Sequence, residues 1–202
     1  LRTIKIGGID PSLRNTGLAK ATYDLGTGDW SVSQVLLIPT DADDSKQVRK
    51  SSDDLRCCRH IVKRLHEHMA DCDVIFGEIP GGAQSARAAR SFGMVVGFMG
   101  GWIETPNLRP TFMEVSPQEV KLAIPGGSKT TSKEEIVCWA YQNWPDAGWS
   151  KNAKGKFEVA GGVKLTADNE HMGDACAAIA AGVRTQQFID MLAAFRIAFR
   201  SQ

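Results

Sequence analysis

A mixed α/β fold, one central sheet with helices on its faces, is predicted by three features of the 202-residue chain. Three β-prone apolar runs come first, close enough in sequence to fold as an antiparallel meander. Segments of helix and strand length then alternate, the order that builds parallel strands with crossover helices. Two Ser-x-x-Glu sequences, Ser116 to Glu119 and Ser132 to Glu135, mark helix starts late in the chain.

The elements follow in order. Residues 3–9 form a buried strand. GLAKATYDL and DWSVSQVLLI form two more, joined through Leu25-Gly26-Thr27-Gly28, which suits a hairpin turn. An amphipathic helix covers residues 53–69, where Leu55, Cys58, Val62, Leu65 and Met69 recur at helical spacing. DVIFGEI is a short fourth strand that ends in the forced turn Pro80-Gly81-Gly82. A helix from about Gln84 to Glu104 leads to the strand TFMEV. In that helix Gly93, Gly97 and Gly101 repeat every four residues. Each glycine costs roughly 1 kcal/mol relative to alanine. A close helix approach would explain them, either to the protein's own sheet or to a second subunit.

Ser116 caps a short helix with Pro117 at its first position, and Pro125-Gly126-Gly127 stops it. The next helix starts at Ser132. Residues 145–168, rich in glycine and lysine, form a hairpin-like excursion. Helices over about 170–184 and 187–199 close what reads as a single domain spanning residues 1–202.

Composition narrows the function classes. A hydrophobic content of 43% with 23% charged residues is an ordinary soluble profile. No apolar run is long enough to span a bilayer and no signal-peptide pattern is present, so no membrane association is expected. Five scattered cysteines without a CxxC pair argue against a disulfide framework or a zinc site and for a reducing, cytoplasmic setting. A net charge of +1 excludes a histone-like positive coat. It leaves room for a local basic face balanced by acidic segments such as DADDSKQ and SSDD.

Four polar positions carry the functional reading. Asp10 ends the first strand, and Glu78 lies near the end of the fourth. His171 and Asp174 stand three apart at the start of a small-residue helix, hence on one face. Asp10 alone reads as a turn-former, and His171 with Asp174 alone as a helix start. Glu78 inside an apolar strand is harder to excuse, because unpaired burial is costly. Taken together, carboxylates from three segments would repel one another unless protonated or bridged by a cation. Oxygen ligands with one imidazole suit Mg²⁺ or Mn²⁺, and two such ions can drive phosphodiester cleavage.

Four motifs in this order resemble the RuvC family of Holliday junction resolvases, within the RNase H-like nucleases. GGIDPSLRNTGLA is similar to the family's first motif, VIFGEIP to the strand bearing its second carboxylate, and VSPQEVKLAIPGGSKTTSKEEI to its two-lysine segment. HMGDACAAIAAG resembles the last motif, in which Asp or His stands three residues before the final Asp; here it is His171. The resemblance runs from about residue 4 to 185. It implies an RNase H-like fold, two Mg²⁺ or Mn²⁺ ions held by Asp10, Glu78, His171 and Asp174, and a homodimer. The implied activity is resolution of four-way DNA junctions by paired nicks. Two departures are visible. The family's bacterial members carry an aromatic shortly after the second carboxylate, where this chain has Pro80, Gly81 and Gly82. The excursion at 145–168 is also long, in the manner of phage-encoded members that cut branched DNA more broadly.

Basic residues fill out the expected DNA surface. Lys133 starts its helix, where a cation opposes the dipole unless an anion docks there. By the resemblance Lys121 and Lys133 reach a phosphate near the scissile bond and count as catalytic. Lys129, in the same loop, Arg14, in the turn after Asp10, and Arg87 and Arg90, on the helix after Glu78, are DNA-binding candidates. Lys151, Lys154, Lys156 and Lys164 flank Trp149 and Phe157 in the excursion. That pattern reads either as a surface for splayed strands or as a solvated hairpin over aromatic anchors. GGSKTTS is not a P-loop: the leading glycine is missing and Ser128 separates Gly127 from Lys129, so no nucleotide cofactor is expected. The remaining rivals are a flap or RNA–DNA hybrid nuclease of the same superfamily and a non-catalytic junction-binding protein. An actin-like ATPase would need a duplicated domain, more than this chain supplies.

Overall fold

The computed structural model describes residues 3–200 other than 44, 46, 80, 83, 84 and 107, and only the backbone of 196–200. Pro80 of the expected turn, Gln84 of the expected helix start and part of the DADDSKQ segment lie outside the described residues.

Strands β1 (Thr3–Asp10), β2 (Asn15–Asp24), β3 (Trp30–Pro39), β4 (Val74–Glu78) and β5 (Thr111–Val115) form one sheet in the order β3-β2-β1-β4-β5. The first three are the antiparallel meander that was expected. Its hairpin turn holds because the Asp24 carboxylate accepts from the Gly26 and Thr27 N–H groups, while Gly28 takes φ 82°. β4 runs parallel to β1, and β5 parallel to β4.

Helices α1 (Lys50–Met69) and α2 (Ala86–Ile103) cover one face of the sheet. There Ile9, Leu18 and Ile75 meet Ile61, Leu65 and Trp102. α5 (Asn169–Gly182) lies on the other face, joined by α3 (Pro117–Ala123), α4 (Lys133–Asn143) and α6 (Gln186–Arg200). Both expected capping boxes are formed. Ser116 and Ser132 each accept from the N–H three residues on, and Glu119 and Glu135 accept in return from the backbone of the capping serines. Among the described residues no helix is long and apolar enough to cross a membrane.

Two expectations are corrected, and a third is made specific. The buried face of α1 is Asp53, Asp54, Cys57, Ile61, Leu65 and Met69, whereas Leu55 is 61% exposed. The helix is rotated from its purely apolar stripe because arginines on other elements neutralise the acidic pair. The SSDD segment is therefore not a solvated acidic surface. The α2 glycines do not approach the sheet: a Cβ placed at Gly93, Gly97 or Gly101 meets no atom within 4 Å. Val95, Phe98, Met99 and Trp102 supply the buried face instead. The excursion is a small hairpin of β6 (Phe157–Val159) and β7 (Val163–Leu165), turning at Gly161 and Gly162 with positive φ. Trp149 and Phe157 are buried in the core against α4 and α5, while its four lysines remain exposed. The solvated hairpin over aromatic anchors is the reading that holds.

Candidate active site

Ile9 pairs with Gly77 across the parallel β1–β4 ladder, so the residues that end these strands, Asp10 and Glu78, stand side by side. They lie at the carboxyl edge of the parallel strands, where open α/β sheets place ligands. Strand alternation puts both on the face that carries α5, with Gly8 and Phe76.

α5 reaches them because β1 and β2 carry glycine where its first turns cross. A Cβ on Gly8 would stand 1.9 Å from the Ala175 carbonyl oxygen, and one on Gly17 would stand 2.1 Å from that of His171. Gly17 is also the ladder partner of Asp10. The first turn of α5 therefore rests on β2 directly beside Asp10, and His171 Nδ1 lies 2.7 Å from Asp10 Oδ2. Val137 of α4 packs against Gly173, which seats the start of α4 over the next turn of α5. From there Lys133 forms an ion pair with Asp174 Oδ2.

Asp10, Glu78, His171, Asp174 and Lys133 thus line one cleft of about 380 Å³. Its opposite wall is Leu13 and Arg14 of the β1–β2 turn with Ser91, Phe92 and Val95 of α2.

The charges in this cleft are under strain. Burial pushes the Glu78 carboxyl up to about 7, with repulsion from Asp10 and Asp174 adding to it and Lys133 and Lys121 relieving part. Burial likewise raises Asp174 to about 6 although Lys133 opposes the shift. For His171 burial resists the charged form, but the hydrogen bond and charge of Asp10 outweigh it and the pKa is raised. Lys133 is raised as well, its desolvation overcome by Asp174. Asp174 Oδ1 is buried and accepts no hydrogen bond. An orphaned buried carboxylate oxygen is costly, and a cation would satisfy it.

The donor set, three carboxylates and an imidazole, fits Mg²⁺ or Mn²⁺. Among the described residues no three acidic, histidine or cysteine groups converge closely enough to hold a metal ion in this conformation. Asp174 is engaged by Lys133, and Asp10 by His171.

Comparison with solved structures locates the fold. The chain aligns with Thermus thermophilus RuvC in complex with a Holliday junction substrate at TM-score 0.56 and 15% identity, over 88% of this chain and 92% of that one. A second T. thermophilus RuvC structure aligns at TM-score 0.56 and 16% identity with the same coverage. The fowlpox virus resolvase, in complex with substrate Holliday junction DNA, aligns at TM-score 0.51 and 14% identity, over 90% of this chain and 100% of that one. The chain has the RuvC-type, RNase H-like fold. No family model matches it and no curated protein matches its sequence, so the likeness is one of fold.

Not every sequence candidate joins this cleft. Lys121 and Lys129 line a separate depression with Pro117 and Gln118, although Lys121 still acts electrostatically on Glu78. Arg87 is exposed on α2. Arg14 lines the cleft but is anchored from behind, 3.3 Å from Asp53, 3.6 Å from Asp54 and 3.0 Å from Cys57 Sγ. Arg90 pairs with Asp54, and Arg56 with Asp53 at 2.6 Å. Sequence reasoning missed this buried acidic pair. Its signal was the continuation of the α1 apolar spacing 54, 57, 61 and 65 onto an aspartate. It also missed the apolar wall of Phe92 and Val95.

Proposed function

We propose that this protein is a metal-dependent, structure-selective endodeoxyribonuclease that resolves four-way DNA junctions as a homodimer by paired nicks. One observation carries the reading. Asp10, Glu78, His171 and Asp174, from two strands and a helix, line a single cleft with Lys133 on a RuvC-type fold. Two solved structures of that fold, from T. thermophilus and fowlpox virus, are complexes with Holliday junction DNA, which supports the substrate class.

In this reading the four residues would hold Mg²⁺ or Mn²⁺, two ions per site, which would supply Lewis-acid activation of a water and charge for the leaving oxygen. The chain's own groups do the rest. Asp10 fixes the His171 ring through the Nδ1 contact. Lys133 in the cleft, and Lys121 from the neighbouring depression, offer positive charge to the phosphate as negative charge builds on it. Arg14, held in place by Asp53 and Asp54, presents the remainder of its guanidinium to DNA at the cleft mouth. Arg87, Arg90 and Lys129 add backbone contacts beyond it. The bare glycine face of α2 seats the second copy.

Gly81 and Gly82 rim the cleft where an aromatic would restrict the branch point, and this favours a broader branched-DNA or flap nuclease as the second reading. Cleavage of matched four-way, three-way, flap and linear DNA with Mg²⁺ and with Mn²⁺ separates the two. Selective, symmetric nicking of the four-way junction is expected. Equal cutting of flaps would establish the broader enzyme, and an inert protein that still binds junctions would refute catalysis.

A further inference from the structure

We propose that Lys133 is an exchangeable counter-cation, whose ammonium occupies Asp174 in the metal-free protein and is displaced when a divalent ion takes that carboxylate. The inference rests on the metal-dependent reading above and deepens it.

The Asp174 side chain is only 5% exposed, so its charge has little help from water. One of its oxygens is taken by Lys133 and the other is buried without a partner. A carboxylate in this state calls for more positive charge than a single ammonium supplies. Lys133 is built to leave. Its side chain is 49% exposed, on a flexible four-carbon stem that lines the cleft. Its backbone is the first residue of α4, where the helix dipole disfavours a cation that has no carboxylate or bound anion beside it. Asp174 provides that partner in the free protein, and an incoming DNA phosphate provides it afterwards. The ammonium therefore passes from a carboxylate to the substrate, and the cleft stays partly neutralised at every stage. The separation of the donors agrees with this: Asp174 is paired with Lys133, and among the described residues no three ligand groups converge in this conformation.

The proposal makes an unusual demand, that removing a positive residue from the candidate site strengthens metal binding. Mn²⁺ titrations of the metal-free protein by calorimetry, without DNA, test it. They should be run at about pH 8, above the raised carboxylates. Lys133→Met should bind Mn²⁺ more tightly than wild type, on the order of tenfold, because a competing charge in contact with the ligand is gone. Lys154→Ala, on the exposed excursion and outside the cleft, should leave the affinity unchanged, and Asp174→Asn should weaken it. Wild-type affinity or weaker binding in Lys133→Met overturns the exchange, as does equal tightening by Lys154→Ala. If wild type binds Mn²⁺ and Asp174→Asn loses it while Lys133→Met gains nothing, the exchange fails and the metal reading stands. If wild type binds no Mn²⁺, both fail. Nitrogen NMR of the wild-type lysine ammonium groups covers the case of a misfolded variant. The held Lys133 ammonium should give a protected signal without metal and lose it on saturation with Mg²⁺; a signal that persists in the Mg²⁺-bound protein overturns the proposal.

Discussion

Gly17 lies against the backbone of His171: a Cβ at residue 17 would stand 2.1 Å from the His171 carbonyl oxygen and 2.3 Å from its carbonyl carbon. Because the obstacle is backbone, the first turn of α5 must move to admit even a methyl group. Gly17→Ala should destabilise the fold by about 1–3 kcal/mol, the usual cost of overpacking. It should also pull His171 off Asp10 and weaken Mn²⁺ binding. Gly82→Ala, with nothing within 4 Å of its Cβ, is the control. Thermal melting and Mn²⁺ titration of the two variants check this, and a wild-type profile for Gly17→Ala would show that the contact yields freely.

Asp10 ends its strand at the cleft, with its carboxylate against His171. Asp10→Asn keeps the shape and removes the charge. Cleavage should fall by at least ~10²-fold, the scale of losing electrostatic stabilisation in a site, while junction binding persists. Glu78→Gln and Asp174→Asn should behave alike. His171→Asp should stay active and shift preference from Mn²⁺ toward Mg²⁺, since imidazole is the softer ligand. Single-turnover cleavage paired with gel-shift binding separates chemistry from affinity, and full activity in Asp10→Asn would remove it from the mechanism.

The meander and the strand-ending carboxylates were legible because their signals are local. Asp24 and Gly28 make the hairpin turn within a few residues, and Asp10 and Glu78 each close an apolar run. The α1 face was not legible. Whether Asp54 is inside depends on Arg14 and Arg90, which lie 40 and 36 residues away in sequence, and periodicity carries no such information. Glycines show the same limit. Gly8, Gly17 and Gly173 are glycines because another element presses on them, whereas Gly93 and Gly97 face open space within the single chain. The residue type is identical, and only the neighbour across the gap decides its meaning. Lys133 could be placed at its helix start from Ser132 and Glu135. Its partner Asp174 is set by the packing of α4 on α5.

At the opposite end of the sheet, Asp71 accepts from Lys20 Nζ at 2.6 Å and Lys5 Nζ at 2.8 Å, which lower its carboxyl to about 2. A depressed carboxylate stabilises the fold above its unfolded value of about 3.9 and loses that contribution as pH falls toward the folded value. Asp71→Asn should therefore melt below wild type by a constant amount above about pH 5, with the gap closing as pH approaches ~2. Asp71 is 47% exposed, so solvent screening should keep the effect within about 1 kcal/mol. Added salt should shrink it further. Melting curves across this range check the window, and a gap that widened on acidification would contradict the assignment.

The last expectation concerns the outer face of α2. Gly93, Gly97 and Gly101 lie in open space in the single chain, beside Val96 at 47% exposure. Unopposed glycines in a helix cost roughly 1 kcal/mol each relative to alanine, which a close-packed second copy would offset. Gly97→Leu distinguishes a bare face from a seated one. It removes a helix-weakening residue, so the isolated chain should melt no lower than wild type and as much as ~2–4 °C higher for a protein of this size. Its bulk should nevertheless block close approach of a second α2. Sedimentation at micromolar concentration should find wild type dimeric and Gly97→Leu monomeric, with the monomer still folded. A dimer that survives Gly97→Leu would move the interface elsewhere, and a monomeric wild type would remove the homodimer from the proposed function.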